Sequence, residues 1–453
     1  MTKEISIAWK CRSWAHVMWL LVRICLTLYA IPSLADDLQT AYEQAVYTSP
    51  IIVQARAQLE ADLAGKPLAR AALLPHISAG ASGGMNTAYV TGFGSQPIST
   101  GYHSDVFSAS LTESIFNGQA LTAMKQATSR IRASEAALAY AQQTLALSVT
   151  QAYFGVLQAQ ANQRVAQQQM DLLQSIDIQT RASLQVGSGD IIAVQEVQAQ
   201  LDAAKSDLIT ANNSVTIATN QLERLTHHSV GSLQDVTDLR PIRPQPDTLG
   251  PWITAALKNQ PLLQQAQAAL KVSTQQVQFA KRARWPTLTL SGIGQHAAGT
   301  LIPPLAIDQI GGSLNLAIPI YQGGSTRARI HQAQALSKAS RANVLNLQDQ
   351  IKLDTQIAFH DLEDSVAKFQ TTQQSVRSAK VSLEGTRKGY EIGSRSIIDL
   401  LTATTAYVTA QRNYYLALYT QLVARTQLKA AAGVLTPLDI QAINTLLYSG
   451  PSK

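Results

Sequence analysis

A few groups of residues have the types and spacing that chemistry could use. Gly80-Ala81-Ser82-Gly83-Gly84 carries the letters of a nucleophile elbow. That device needs a sharp strand-to-helix turn to lift the serine hydroxyl. This stretch lies inside a Gly/Ser-rich run of strand character and reads as a chance match. His227-His228 offers adjacent imidazoles near a helix end, which alone define no metal geometry. His360, Asp361, Glu363 and Asp364 form a charged helical patch, expected to be solvated or to face a partner. The most informative stretch is Gly389-Tyr390-Glu391-Ile392-Gly393-Ser394-Arg395-Ser396-Ile397-Ile398-Asp399-Leu400-Leu401. In it Asp399 stands at a helix start, where a carboxylate suits the macrodipole. No phosphate loop or zinc-protease motif is present. The chain is therefore expected not to be an enzyme, and to need no cofactor and no metal.

The elements that must position this stretch are two long proline-free helical runs on either side of it. A weaker copy lies upstream, Val186-Gly187-Ser188-Gly189-Asp190-Ile191-Ile192, and Gly187 and Gly393 are 206 positions apart. Pro75 and Pro286 are 211 apart, and Phe116 and Tyr321 are 205 apart. Features in the same order at nearly one offset indicate a duplicated unit. The unit is helix, hairpin, long helix, turn, helix. Gly187, Gly189 and Gly393 mark the repeat turns.

Along the chain, residues 36–74 show helical spacing through Leu38, Ala41, Ala45, Ile52, Ala55 and Leu59. Pro50 breaks this helix early, Pro67 bends it and Pro75 ends it. Residues 76–116 predict a hairpin, with strands at 76–92 and 104–116 and a Gly/Ser/Pro loop between. Phe107, Ala109, Leu111 and Ile115 alternate with Ser108, Ser110, Thr112 and Ser114, while Glu113 interrupts the apolar face. Residues 119–240 hold no proline. Met124, Ile131, Leu138, Leu145 and Ala152 recur every seven residues, with small Ala127, Ser134 and Ala141 three further on. That resembles a coiled-coil seam with one small side. The first helix of this run would span roughly 100 Å at about 1.5 Å per residue. A second helix is expected over 190–225. The first repeat is thus 36–240, and a proline-rich linker covers 241–251. The second repeat, 252–447, has its hairpin at 286–321, where Pro319 must occupy a ladder position that needs no donor. A tail, 448–453, follows.

The chain has 453 residues, 14% charged and 46% hydrophobic, with a formal charge of +7. Its basic residues are scattered without interleaved aromatics, so nucleic acid is not an expected partner. Lys3, Lys10 and Arg12, a mostly apolar stretch over 14–30, and Ser33-Leu34-Ala35 read as a signal peptide, residues 1–35. Arg23 interrupts its apolar run. Both cysteines, Cys11 and Cys25, fall inside it, so the mature chain would have no disulfide and no thiol chemistry. Val22-Arg23-Ile24 before Cys25 is a poor lipidation context. No later run reaches about 18 consecutive apolar residues, so no spanning helix is expected, but an exported chain can still cross a membrane as a β-barrel.

Four strands of about the length a membrane strand needs are too few to close a barrel. Either several chains share one barrel, or the strands form a soluble sheet. Helices this long also need neighbours along their length. Both points call for an oligomer.

The duplicated plan resembles the TolC family of outer-membrane channel-tunnels. The resemblance is carried by the stretch Gly389 to Asp399 and by the tail Ala431-Ala432-Gly433-Val434-Leu435 with Leu438-Asp439-Ile440. It covers about residues 37–447. It implies a mixed α/β membrane protein: a long α-helical coiled-coil barrel, plus four strands per chain in a trimeric twelve-stranded transmembrane β-barrel. The implied function is the outer-membrane exit duct of a tripartite export system. Such a duct passively conducts drugs or secreted proteins from an inner-membrane pump across the periplasm and outer membrane. The implied partners are two further copies of the chain, a periplasmic adaptor, an inner-membrane efflux pump or ABC exporter, and outer-membrane lipid. Asp399 would face the lumen at the constriction. The family's second Asp stands here as Thr402, so the constriction would be less acidic. Tyr390 and Arg395 match entrance gating residues. Their usual first-copy Asp partner corresponds to Ala193, and Asp190, one helical turn away, is expected to substitute. The rival readings are a soluble periplasmic coiled-coil adaptor or scaffold, and an exported enzyme.

Overall fold

A computed structural model describes residues 37–92, 94–236, 241–299 and 306–448. The expected signal peptide and all of the expected tail except Tyr448 lie outside the described residues.

The first half opens with α1 (Leu38–Thr48) and α2 (Pro50–Ala71). Pro50 separates them yet suits the first position of α2, where its missing N–H is no loss. Asp37 caps α1 by accepting from the Thr40 N–H at 2.7 Å. Burial pushes the Asp37 carboxyl up, but hydrogen bonds from Thr40 and Asn444 outweigh it and hold the group below its ordinary value. Pro67 lies within α2, which continues through it. Next come β1 (His76–Gly92) and β2 (Gly94–Phe116), then α3 (Gly118–Gln185) and α4 (Ile191–Thr226), and a short β3 (Asp235–Val236). The 68 residues of α3 extend about 100 Å.

The second half repeats this order with α5 (Leu249–Asn259), α6 (Pro261–Arg282), β4 (Thr287–Ala298), β5 (Ile307–Ala317), α7 (Ser325–Glu391) and α8 (Ile397–Ala431). Then α9 (Pro437–Asn444) and β6 (Leu447–Tyr448) close the described chain.

The hairpins join in one antiparallel sheet, ordered β1-β2-β4-β5. Its outer strands, β1 and β5, have no partner on one side among the described residues.

Several boundaries differ from the sequence reading. The loop expected over 92–103 is strand: β2 begins at Gly94 and pairs with β1 along its length. Gly, Ser and Thr give this stretch a loop-like composition, yet their backbone forms an extended ladder. The register shifts between Val90 and Gly92, opposite the segment holding Pro97, which has no N–H to give. Strand β5 stops at Ala317, so Pro319 lies past the ladder and not within it. Helix α5 starts at Leu249, where the sequence also reads helix, so the linker 241–251 overlaps its first turn. Helix α9 ends at Asn444, and Leu447 and Tyr448 pair with Val236 and Asp235. The tail boundary at 448 therefore cuts a strand.

Of the expected seam, Ile131, Ser134 and Leu145 are buried and the rest half-buried. Helix α3 packs on α2, α4, α6 and α8, so it buries a wider face than a two-helix seam. The principal core lies at mid-length of α3, around Tyr153, Phe154, Tyr419, Leu422 and Phe369. There Asp235 accepts from the Tyr419 hydroxyl at 2.8 Å and from Arg164 at 3.1 Å, pinning β3 to both long-helix pairs. Burial, then the Asp235 carboxylate, pushes the Tyr419 phenol up. The tail motif has a steric reason. Gly433 takes φ +68, and a Cβ there would come within 2.6 Å of the Gln260 backbone. The Gln260 side chain donates to the Ala430 and Ala431 carbonyls, each at 3.1 Å. This locks the end of α8 onto the α5–α6 joint.

Candidate functional site

The paired turns close the two long hairpins. In the second copy, Gly393 takes φ +75 and its N–H donates to the Tyr390 carbonyl at 3.0 Å. Ser394 and Arg395 donate their N–H groups to the Gly389 carbonyl at 2.8 and 3.2 Å. Together these bonds satisfy carbonyls that a helix end leaves free. In the first copy, Gly187 takes φ +76 and donates to Leu184, and Ser188 donates to Ser183 at 3.0 Å. The backbone is repeated. Left-handed φ is what makes glycine necessary at 187 and 393.

The turns make one close approach in opposite ways. A Cβ on Gly389 would meet Arg395 Cγ at 2.7 Å, so the Arg395 stem folds over Gly389. A Cβ on Gly189, at the position equivalent to Arg395, would meet the Leu184 backbone N at 2.7 Å.

Helix α8 starts with a capping box. Ser396 Oγ accepts from the Asp399 N–H at 3.1 Å, and Asp399 Oδ2 accepts from the Ser396 N–H at 3.0 Å. Backbone and side-chain hydrogen bonds from Ser396, then the Arg395 charge, hold the Asp399 carboxyl below its ordinary 3.8. Asp399 is exposed, and its Oδ2 serves the cap. Asp190 caps α4 in the same way, accepting from the Ile192 N–H at 3.0 Å.

Leu173, Ile176, Val197, Leu201, Ile397 and Leu400 form a buried cluster under both turns. Tyr390 and Ala193 both pack against it. The structure thus brings Tyr390 to the cluster that also takes Ala193. Among the described residues no hydrogen bond joins Asp190 to Tyr390 or to Arg395. Arg181 braces this end by pairing with Asp177 at 2.8 Å and donating to Gln198 at 2.5 Å.

Thr402 lies on an exposed face of α8 with its hydroxyl donating to the Ile398 carbonyl at 2.8 Å. It lines an open groove of about 850 Å³ with Ile398, Leu401 and Thr405, and Glu196 of α4 stands on the opposite wall. Sequence reading missed Glu196, because nothing in its local pattern marks it. Only the approach of α4 to α8 places this residue along the same groove as Thr402. Further along, Arg412 of α8 bridges Asp207 and Gln169, both at 3.3 Å.

The other sequence candidates stay apart. Gly80 to Gly84 lies within β1, with no strand-to-helix turn. His227 adopts left-handed φ 54 and ends α4. His360 pairs with Glu363 at 3.1 Å on the exposed side of α7. Among the described residues no cluster of three or more His, Cys, Asp or Glu could hold a metal, and no helix is long and apolar enough to cross a membrane.

The fold and the paired turns define a class of outer-membrane channel. The family model described as outer membrane efflux protein matches residues 41–227 and 252–434. The chain belongs to this family of channel proteins. It is 28% identical to outer membrane protein TolC of Escherichia coli K12, over 94% of this chain and 88% of that one. It is 26% identical to the alkaline protease secretion protein AprF of Pseudomonas aeruginosa, over 94% and 90% of the two chains. Among solved structures, the CmeC outer membrane channel of Campylobacter jejuni superposes with a TM-score of 0.79 at 18% identity, covering 91% and 90%. The open state of the MtrE channel of Neisseria gonorrhoeae gives 0.72 at 19%, covering 88% and 91%. The expected resemblance is borne out, as is the mainly helical fold with an antiparallel strand contribution. The protein resides in the outer membrane and is an exit duct of the efflux and secretion class, working with partner proteins in tripartite systems.

Proposed function

We propose that three copies of the chain form the working duct, each lending its four strands to one twelve-stranded barrel. The observation that carries this is the four-stranded sheet with open edges at β1 and β5. Unpaired edges are not tolerated in the hydrocarbon of a membrane, and closing the barrel with further copies removes them. A soluble periplasmic scaffold would have no use for such edges beside an exposed apolar face. Residues 1–35 act as the cleaved signal peptide, and 36–240 and 252–447 as the two structural repeats.

In this reading the paired turns form the inner end of the tunnel. Asp399 from each copy makes a ring of carboxylates at the constriction. Mutual repulsion works against full ionisation of such a ring, and cations are drawn to it. Thr402, one turn inward, adds no charge, so cation block is weaker than two acidic rings would give. Tyr390, Arg395 and Asp190 hold the entrance shut through contacts with neighbouring copies. The exposed Arg395 guanidinium and the open oxygen of Asp190 are suited to that. A periplasmic adaptor and an inner-membrane efflux pump or ABC exporter dock at this end and select the cargo.

The mass of the detergent-extracted protein tests the assembly. Three copies that dissociate only on heating are expected. A stable monomer or dimer would overturn the reading.

A further inference from the structure

The two faces of the sheet differ. Register places Ile77, Ala79 and Ala81 of β1 beside Leu111, Ala109 and Phe107 of β2, and Leu314 and Ile310 of β5 lie on the same face. Ile77, Phe107, Leu314 and Ile310 are all exposed, Ile310 at 95%. The other face is mainly polar, with Ser78, Ser108, Ser110, Ser291, Gln295 and Gln309, though Val106, Ile293 and Ile307 also lie on it.

The apolar face is bounded at both ends. Near the helices stand Glu113 and a stack of Phe116 on Trp285, with ring centroids 6.2 Å apart. Arg282 lies over Trp285 at 4.9 Å. At the far end, still on the apolar face, are two His–Asp pairs. His103 meets Asp105 at 3.0 Å, and His296 meets Asp308 at 2.6 Å. Eight residues separate Glu113 from Asp105 on β2. At about 3.4 Å per residue and a tilt of about 40°, that spans about 21 Å of membrane normal, close to the apolar band of an outer-membrane barrel. A carboxylate and its polar partner within that band would be costly, and at its edge they meet headgroups and water.

Near this level β4 stops at Ala298 and β5 starts at Ile307. A Cβ on Gly299, just past β4, would meet the His103 carbonyl at 1.9 Å. The first hairpin does not end there. From His103, β2 runs back nine more residues to Gly94, about 30 Å of strand, still paired with β1.

We propose that the two His–Asp pairs mark the outer edge of the membrane band and face the phosphorylated headgroups of the outer leaflet. The β1–β2 hairpin beyond them projects clear of the lipid as a stepped extracellular ridge on each copy. This rests on the barrel reading above.

Single cysteines test the placement, since the chain has no cysteine beyond Cys25. Leu111→Cys and Ile310→Cys lie in the band, Met85→Cys pairs with His103 at the edge, and Thr87→Cys lies beyond it. Each variant, with Cys11 and Cys25 removed by signal cleavage, is labelled with a small fluorophore in vesicles of phosphatidylethanolamine and phosphatidylglycerol. Only variants that retain heat-dissociable assembly are read. Lipid carrying a nitroxide deep in its chain should quench the Leu111 and Ile310 labels several-fold more than the Thr87 label. A headgroup nitroxide should quench the Met85 label most, and aqueous iodide the Thr87 label. Deep quenching at Thr87 or Met85 as strong as at Leu111 would overturn the edge. No lipid quenching at Leu111 or Ile310 would instead overturn the barrel itself.

Discussion

The turn at Gly187 and the turn at Gly393 share one backbone and differ in nearly every side chain that could act. Both have a left-handed glycine, the same pattern of hydrogen bonds to the preceding helix end, and a polar cap on the next helix. Where the second copy has Tyr390, Arg395 and Asp399, the first has Leu184, Gly189 and Ala193. At these three positions the second turn carries a phenol, a guanidinium and a carboxylate where the first carries apolar or small residues, although Asp190, Arg181 and Asp177 keep charge at the first-copy end. Duplication preserved the part that backbone geometry demands. The positions free of that demand have diverged toward separate jobs.

The largest expected effect comes from the close approach that the two turns solve in opposite ways. Gly189→Ala drives a Cβ against the backbone of Ser183 and Leu184, which cannot move aside, and should cost about 3 kcal/mol, the scale of overpacking. Gly389→Ala meets side chains and no backbone, Arg395 Cγ at 2.7 Å and Ser394 Oγ at 3.2 Å, and alanine is a better helix residue than glycine by about 1 kcal/mol. Its net effect should be near zero. Thermal dissociation of the assembled protein checks both, and equal losses at the two sites would break the comparison.

Ser396→Ala removes the hydroxyl that caps α8 and should cost about 1 kcal/mol in the same assay. Wild-type stability would mean that the exposed end of α8 frays regardless of its cap.

Asp190→Ala sharpens the division of labour. If Asp190 holds the entrance as well as capping α4, resting conductance rises in planar bilayers. Unchanged conductance would leave it as a cap alone and place all gating chemistry in the second copy.

The smallest effect is in pH. Hydrogen bonds from Ser396 lower the Asp399 carboxyl within one copy, so its stabilisation is present above 3.8 and lost as pH falls through the depressed value. Stability of the wild type relative to Asp399→Asn should then be flat through neutral pH and fall only in strong acid. A difference that fades well above 3.8 would show that repulsion within a ring outweighs the cap.

Much of this organisation was legible in the residues themselves. Pro50, Pro261, Gly187 and Gly393 punctuate the chain where backbone sterics require it, and so the duplication and the helix ends could be read. The loop expected at 92–103 failed because ladder hydrogen bonds come from the backbone, which Gly, Ser and Thr supply as any residue does. The pairing of Leu447 and Tyr448 with Val236 and Asp235 was invisible, since two residues set no period. At the candidate site, Asp399 and Thr402 were singled out through the family resemblance. Glu196 was not, because only tertiary packing brings α4 beside α8. The cap roles of Asp190 and Asp399 show that a residue chosen for the pore also serves its own helix.

Single-channel conductance of wild type and Asp399→Ala, with and without a trivalent cation on the periplasmic side, tests the central claim most directly. Discrete low-conductance openings are expected, blocked by the cation in wild type and blocked far less in Asp399→Ala. A channel whose block is the same in both proteins would contradict the assignment of the constriction to Asp399.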